Sequence, residues 1–192
     1  MAKVAPKTSQ PVAKAANAPQ HSLPAWLVAD LRSDHAGEVG AVMIYRGILA
    51  VSRDAKVRAF AQHHLATEEI HLQRITALLA KEQYTRLLPL WRFMGWLTGA
   101  LPALLGANSV FATIDAVETF VDQHYQDQLN RIDPNGRFAD IRLTLAQCQA
   151  DEIAHRDEAR GLATPVRGPL LSLWTLVVKS GSAAAVWAAR RI

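Results

Sequence analysis

The chain has 192 residues, half of them hydrophobic, with 21 Lys and Arg against 17 Asp and Glu and one cysteine. That length suits one domain with a sizeable core, and the apolar fraction excludes a disordered chain. Cys148 has no partner, which excludes a disulfide framework and a cysteine-based zinc site and makes a reducing, intracellular setting the expectation. All seventeen acids lie between Asp30 and Glu158, a window with thirteen basic residues. Lys3, Lys7, Lys14, Arg160, Arg167, Lys179, Arg190 and Arg191 flank it without an acid. An acidic middle with basic, apolar flanks is a poor duplex binder, so no nucleic-acid partner is expected. It suits an anionic membrane surface, where each Lys or Arg contributes on the order of 1 kcal/mol.

In chain order, residues 1–21 are rich in Ala, Pro, Lys and Gln without an apolar period and read as a disordered tail; they lack the apolar run of a secretory signal. From 22 onward the chain reads as one domain. Pro24 suits a first helical turn, and the apolar positions from Trp26 through Val51 form one long helix ending near Ser52-Arg53-Asp54. Asp54 can cap a second helix, which runs through Val57, Phe60, Leu65, Ile70 and Ile75 toward Glu82. A third runs from about Ser109 to Asn130 and stops at Asp133-Pro134-Asn135-Gly136, a turn signal; a fourth covers Phe138 to Arg160. No stretch alternates with period two, so the class is all-α. Two further segments, about 87–114 and 166–190, are apolar enough to associate with a membrane. Between Phe93 and Ile114 no residue is charged, but Gly95, Gly99, Pro102 and Gly106 interrupt the run. A helical hairpin, lying in the membrane interface or covering the bundle, is expected there, with a buried crossover helix as the equal alternative. The stretch Leu170 to Ala189, with Trp174, Trp187 and the terminal Arg190-Arg191, fits membrane contact or packing on the bundle equally well.

Two Glu-x-x-His pairs carry the chemistry: Glu68 with His71 and Glu152 with His155. Three residues apart, each pair leaves one helix face together. With seven glutamates and seven histidines, chance placement gives about a quarter of such a pair, so one alone would mean little. The placement of Glu38 and Glu118 decides the matter. Glu38 and Glu68 straddle position 53, in the first turn, and Glu118 and Glu152 straddle position 135, in the second. At about 1.5 Å per residue each carboxylate stands roughly 22 to 26 Å from its turn, so two antiparallel hairpins bring all four glutamates to one level. One Glu from each of two helices and a Glu-x-x-His from each of the other two is the ligand set of ferritin-like dinuclear carboxylate bundles. Four unpaired buried carboxylates would cost roughly several kcal/mol each, and two divalent cations would cancel their charge. Oxygen-rich ligands with imidazole favour iron or manganese over structural zinc. The predicted metal ligands are Glu38, Glu68, His71, Glu118, Glu152 and His155. Asp151 can accept the outer N–H of a ligand histidine, and Tyr45 and Tyr125, each seven residues after a ligand glutamate, can flank the site, although an ordinary core tyrosine is the commoner role. Glu69 is expected to be an exposed neighbour, and His35, His63, His64, Asp122 and Asp127 fit no ligand pattern.

Asp34-His35-Ala36-Gly37-Glu38-Val39-Gly40-Ala41, the Glu68–His71 pair, Val117-Glu118 followed by His124-Tyr125, and Asp151-Glu152-Ile153-Ala154-His155 together resemble the demethoxyubiquinone hydroxylases of ubiquinone biosynthesis. The similarity runs from about Leu31 to the C-terminus. It implies a monooxygenase with two iron ions that uses dioxygen to hydroxylate a polyprenyl quinone ring, with NADH as the ultimate electron source. It also implies peripheral attachment to a membrane surface, at the cytoplasmic face of a cell membrane or the matrix face of the inner mitochondrial membrane. No Gly-rich phosphate-binding fingerprint is present, so reduction is expected through the bound quinone or a partner. An exposed apolar hairpin would favour a homo-oligomer or an accessory lipid-binding protein. Two other readings compete: a ferritin- or rubrerythrin-like iron oxidase or peroxidase, which needs no lipid contact, and a non-catalytic lipid-binding bundle, which needs no metal.

Overall fold

The structure is a computed structural model that describes residues 23–164 and 168–192; the expected tail over 1–21 and the basic residue Arg167 lie outside the described residues. Six α-helices follow in order: α1 (Ala25–Val51), α2 (Ala55–Thr76), α3 (Leu88–Leu105), α4 (Ala107–Leu129), α5 (Ala139–Leu162) and α6 (Pro169–Ala189), with a short 3-10 turn at Lys81–Gln83. Helices α1, α2, α4 and α5 form a ferritin-like four-helix bundle.

Both hairpin turns fall where side-chain chemistry puts them. Asp54 caps α2 by accepting from the Lys56 and Val57 amides at 2.8 and 3.1 Å. Asp133 closes the second turn, accepting from the Asn135 amide at 2.9 Å through its side chain and from the Gly136 amide through its carbonyl. Helix α2 stops at Thr76, short of the expected Glu82. Beyond it Tyr84 stacks on His35 with ring centroids 4.0 Å apart, and Arg32 Nε donates to the Gln83 carbonyl at 2.6 Å. These contacts join residues about fifty positions apart, and no local period encodes them.

The bundle interior has three layers. Ile44, Tyr45, Ile48, Val57, Phe60, Val110, Phe111, Ile114 and Ala159 form an apolar cluster toward the α1–α2 turn. Leu27, Leu31, Ile75, Tyr125, Leu129, Leu145 and Cys148 form another toward the α4–α5 turn. On each helix the glutamates fall between the two, so the carboxylates are locked at mid-height by apolar packing above and below.

The long apolar segment bends at Gly106, whose φ of 103° is a backbone conformation open to glycine. Before the bend, α3 lies directly on α1. A Cβ on Gly47 would run into the Trp96 carbonyl and one on Gly99 into the Ile44 carbonyl, so the backbones meet through glycine. The opposite side of α3 leaves Phe93, Met94, Leu101, Leu104 and Leu105 exposed. Helix α6 is held at both ends: Trp174 Nε1 donates to Thr113 Oγ1 at 2.8 Å, and Arg190 Nη2 reaches buried Asp30 at 2.5 Å. Arg131 binds the same carboxylate at 2.6 Å. Between its anchors α6 exposes Leu170, Leu173, Leu176, Val177 and Trp187. By length and composition α6 could cross a membrane. Of the two possibilities the sequence left open, packing on the bundle is seen for both apolar helices, and each leaves its other face uncovered.

Candidate metal centre

Glu38 projects from α1, Glu68 and His71 from α2, Glu118 from α4, and Glu152 and His155 from α5; none of the six is more than 4% exposed. Donor atoms of Glu38, Glu68, His71 and Glu152 lie within 4.8 Å of one another, and so do those of Glu68, Glu118, Glu152 and His155. The two sets share Glu68 and Glu152, so two adjoining four-donor pockets have a pair of carboxylates in common. Both histidines turn Nδ1 inward. His71 Nδ1 is 3.0 Å from Glu152 Oε1 and 3.8 Å from Glu68 Oε2. His155 Nδ1 is 3.1 Å from both Glu68 Oε1 and Glu152 Oε2.

The electrostatics of this cluster follow from four glutamates and two imidazoles buried together. Burial pushes the Glu38 carboxyl well above its ordinary value, and the neighbouring Glu68 and Glu152 push it further. Burial followed by Glu152 and Glu68 does the same to Glu118. Burial would raise Glu68 as well, but the imidazole N–H groups of His155 and His71 outweigh it and hold Glu68 at about 2. Burial works against a charged His71 and His155, yet the Glu152 and Glu68 carboxylates raise both, His155 to about 9. Without metal, then, two imidazolium ions supply positive charge among four glutamates. Neither Glu68 oxygen accepts a well-aligned hydrogen bond, although His155 lies beside one, and Glu38 Oε2 is likewise buried without a donor. Such lone pairs, converging in a dry layer, are what a pair of divalent cations would satisfy.

The surrounding side chains hold the cluster from outside. Tyr45 on α1 donates to Glu118 Oε1 at 3.4 Å, and Tyr125 on α4 donates to Glu38 Oε1 at 2.5 Å, so each tyrosine braces the glutamate of the opposite hairpin. Asp151 Oδ2 is 3.0 Å from His71 Nε2 and so reaches across the bundle to the histidine of α2. Asp34 Oδ1 accepts from Gln128 Nε2 at 2.6 Å and meets His124 Nε2 at 2.9 Å, tying α1 to α4 one turn from Glu38. Glu69 faces solvent and Arg46 at 2.8 Å, Asp122 pairs with Arg156, His63 and Asp127 are exposed, and His35 is buried against Tyr84. His64 is buried too, with its ring 4.1 Å from that of His155 and its Nε2 3.0 Å from Glu158 Oε2. Burial, with His155 and His63 adding to it, drives His64 down to about 3. The sequence held one signal for His64, its position four residues before Glu68 and hence on the same face.

An apolar cavity of about 490 Å³ opens onto this layer. Glu38, Glu118 and Glu152 stand at its floor, Trp91, Met94 and Leu101 of α3 form one wall, and Trp174, Gly181 and Ala185 of α6 form another. Fold and site together define a helical-bundle carboxylate protein in which two adjoining donor sets that could hold metal ions face an apolar cavity.

A family profile described as ubiquinone biosynthesis protein COQ7 matches residues 25–189, and the chain belongs to that family. A 3-demethoxyubiquinol 3-hydroxylase of Rhodospirillum rubrum is 37% identical over 84% of this chain and 76% of its own length. An NADPH-dependent 3-demethoxyubiquinone 3-hydroxylase, mitochondrial, of Dictyostelium discoideum is 31% identical over the same shares. A protein of that name from Caenorhabditis elegans is 31% identical over 84% of this chain and 88% of its own length.

Proposed function

We propose that the chain beyond its first 21 residues works as one domain, a di-iron monooxygenase that hydroxylates the ring of a polyprenylated demethoxybenzoquinol in ubiquinone biosynthesis. The observation that carries this reading is the coincidence of two overlapping donor sets with an apolar-lined cavity that three of the same glutamates also line. In this reading Glu38 and His71 would hold one ion and Glu118 and His155 the other, with Glu68 and Glu152 within reach of both. Bound there, two iron ions would supply reductive dioxygen chemistry, in which two electrons and two protons accompany insertion of one oxygen atom into a ring C–H bond and loss of the other as water.

The chain does the rest. Tyr125 and Tyr45 fix the Glu38 and Glu118 carboxylates, and Asp151 accepts the His71 Nε2–H, which sets the tautomer that leaves Nδ1 free to bind. Trp91, Met94, Val178 and Ala185 exclude water and give the flat ring an apolar slot against the glutamates. The exposed apolar faces of α3 and α6 flank that slot and suit peripheral contact with the cytoplasmic or matrix face of a membrane, where a long-tailed quinone resides. The two electrons come ultimately from a reduced nicotinamide, NADH by the family resemblance, while two eukaryotic relatives are named NADPH-dependent. A soluble-iron oxidase would have no use for an apolar cavity of this size.

Quinone analysis of cells that depend on Glu152→Ala tests the reading. Accumulated demethoxyubiquinone is expected; normal ubiquinone with the variant folded and present overturns it.

A further inference from the structure

Helix α6 walls the cavity yet is attached to the bundle chiefly at its ends. Among its described residues Thr175, Val178 and Ala189 are buried, Gly181 and Ala185 line the cavity, and the outer face is apolar and exposed. At the Ala189 end the attachment consists of that buried methyl group, a bond from the Arg86 amide to the Ile192 carbonyl at 3.2 Å, and the Arg190 guanidinium 2.5 Å from Asp30. Asp30 is fully buried on α1, two turns before Glu38, and carries a second cation, Arg131, at 2.6 Å. Neither Asp30 oxygen accepts a well-aligned hydrogen bond, so the hold on Arg190 is coulombic and is not locked by direction. Two features make this hold releasable. Removing one partner of a buried ion pair is costly when it leaves a bare charge. Asp30 is spared this, because Arg131 is fixed on its own side: its Nε donates to the Asp127 carbonyl at 3.2 Å and its guanidinium stands 5.6 Å over the Trp26 ring. The second feature is Arg191, exposed beside Arg190 and stacked at 4.1 Å on the outward Trp187 ring. Adjacent guanidinium groups next to a tryptophan, at the end of an apolar helix, complement the phosphates of an anionic lipid surface. Asp30 and such a surface compete for Arg190.

We propose that the Asp30–Arg190 pair is a latch on α6 that an anionic lipid surface releases: Arg190 passes from Asp30 to a lipid phosphate, the Ala189 end of α6 lifts from α1, and the cavity widens. Arg131 keeps the Asp30 charge compensated while the latch is open. Trp174, bonded to Thr113 at the other end of α6, is the hinge. The slot thus stays narrow in water and opens at the surface where a long-tailed quinone resides. This proposal rests on the membrane contact proposed above and adds to it a trigger made of charge.

Alkylation by N-ethylmaleimide tests it in the full chain carrying Ala189→Cys, with the buried native Cys148 as internal reference. A thiol at position 189 reacts when α6 lifts, whereas Cys148 reacts when the bundle itself opens. With neutral phosphatidylcholine vesicles position 189 should react as slowly as in buffer. Vesicles in which about a third of the lipid is phosphatidylglycerol should speed it about tenfold, with Cys148 unchanged. Adding Asp30→Asn, which keeps the shape and drops the charge, should give the fast rate in buffer already. Where that variant also speeds Cys148, Arg190→Gln, which leaves Asp30 paired with Arg131, decides by the same criterion. If the chain sediments with anionic vesicles while position 189 stays slow, if neutral vesicles speed it equally, or if the deciding variant stays slow in buffer, the latch is overturned and the membrane contact stands. A chain that sediments with neither kind of vesicle overturns both together.

Discussion

Tyr45 and Tyr125 show how single residues set this site. Each is fully buried, each is pushed above the ordinary tyrosine value first by burial and then by a glutamate it faces, Glu118 for Tyr45 and Glu38 for Tyr125, and so each remains a donor. Asp151 acts from outside in the same way on His71. Asp151→Asn leaves a hydrogen-bonding group in place but removes the charge, and iron affinity is expected to fall about 10- to 100-fold, read by competition with a chelator. The titrations of the site carry a further consequence for stability. Glu38 and Glu118 keep their protons above 4.5 in the metal-free fold, so this fold binds more protons than the unfolded chain and loses stability as pH rises through that window. His155 adds to the trend: its contribution is complete below 6.5 and is lost as pH climbs through about 9. Glu68 opposes it only in acid, where its contribution, present above 4.5, is lost as pH falls toward about 2. Melting temperature of the metal-free chain should therefore decline from pH 6 to 9, and bound metal, which holds the glutamates ionised, should flatten the slope. A metal-free chain that grows more stable over that range would contradict this account.

Among the elements, α3 is the one whose placement depends on the fewest atoms. Its approach to α1 requires hydrogen at Gly47, Gly95 and Gly99, because a methyl group at any of them meets backbone rather than a side chain that could turn away. Gly99→Val must therefore push α3 outward, and a loss of at least about 1–3 kcal/mol is expected, visible as a melting temperature several degrees lower. A variant that melts with wild type would mean that α3 can lift without cost. The region around Glu38 serves two purposes at once: Glu38 joins the donor cluster, while two residues on the Gly40 backbone is the surface on which Gly95 of α3 packs.

For the whole molecule, the four-helix core and the two apolar helices are separable parts of one device. The core holds the four glutamates and two histidines between two apolar clusters, and α3 and α6 add a slot that leads to them. The width of that slot depends on small residues of α6, held in place by Arg190 on Asp30 and Trp174 on Thr113. Ala185→Phe fills the slot without touching the metal layer. Its KM for the quinol should rise several-fold with iron content unchanged; a variant with wild-type KM would move the substrate path elsewhere.

The convergence of four glutamates and two histidines, the hairpin pairing and the two turns were legible in the sequence because they rest on helical period and rise, quantities that act over a few residues and add along a rod. So Glu38, Glu68, His71, Glu118, Glu152 and His155 could be placed at one level without coordinates. Tertiary structure alone decided which histidine Asp151 serves, that His64 is buried against His155, where α2 stops, and how α3 and α6 enclose the cavity. Each of these depends on the rotation of one helix about its axis relative to another. That angle is set by side-chain packing between residues dozens of positions apart, and no single helix encodes it.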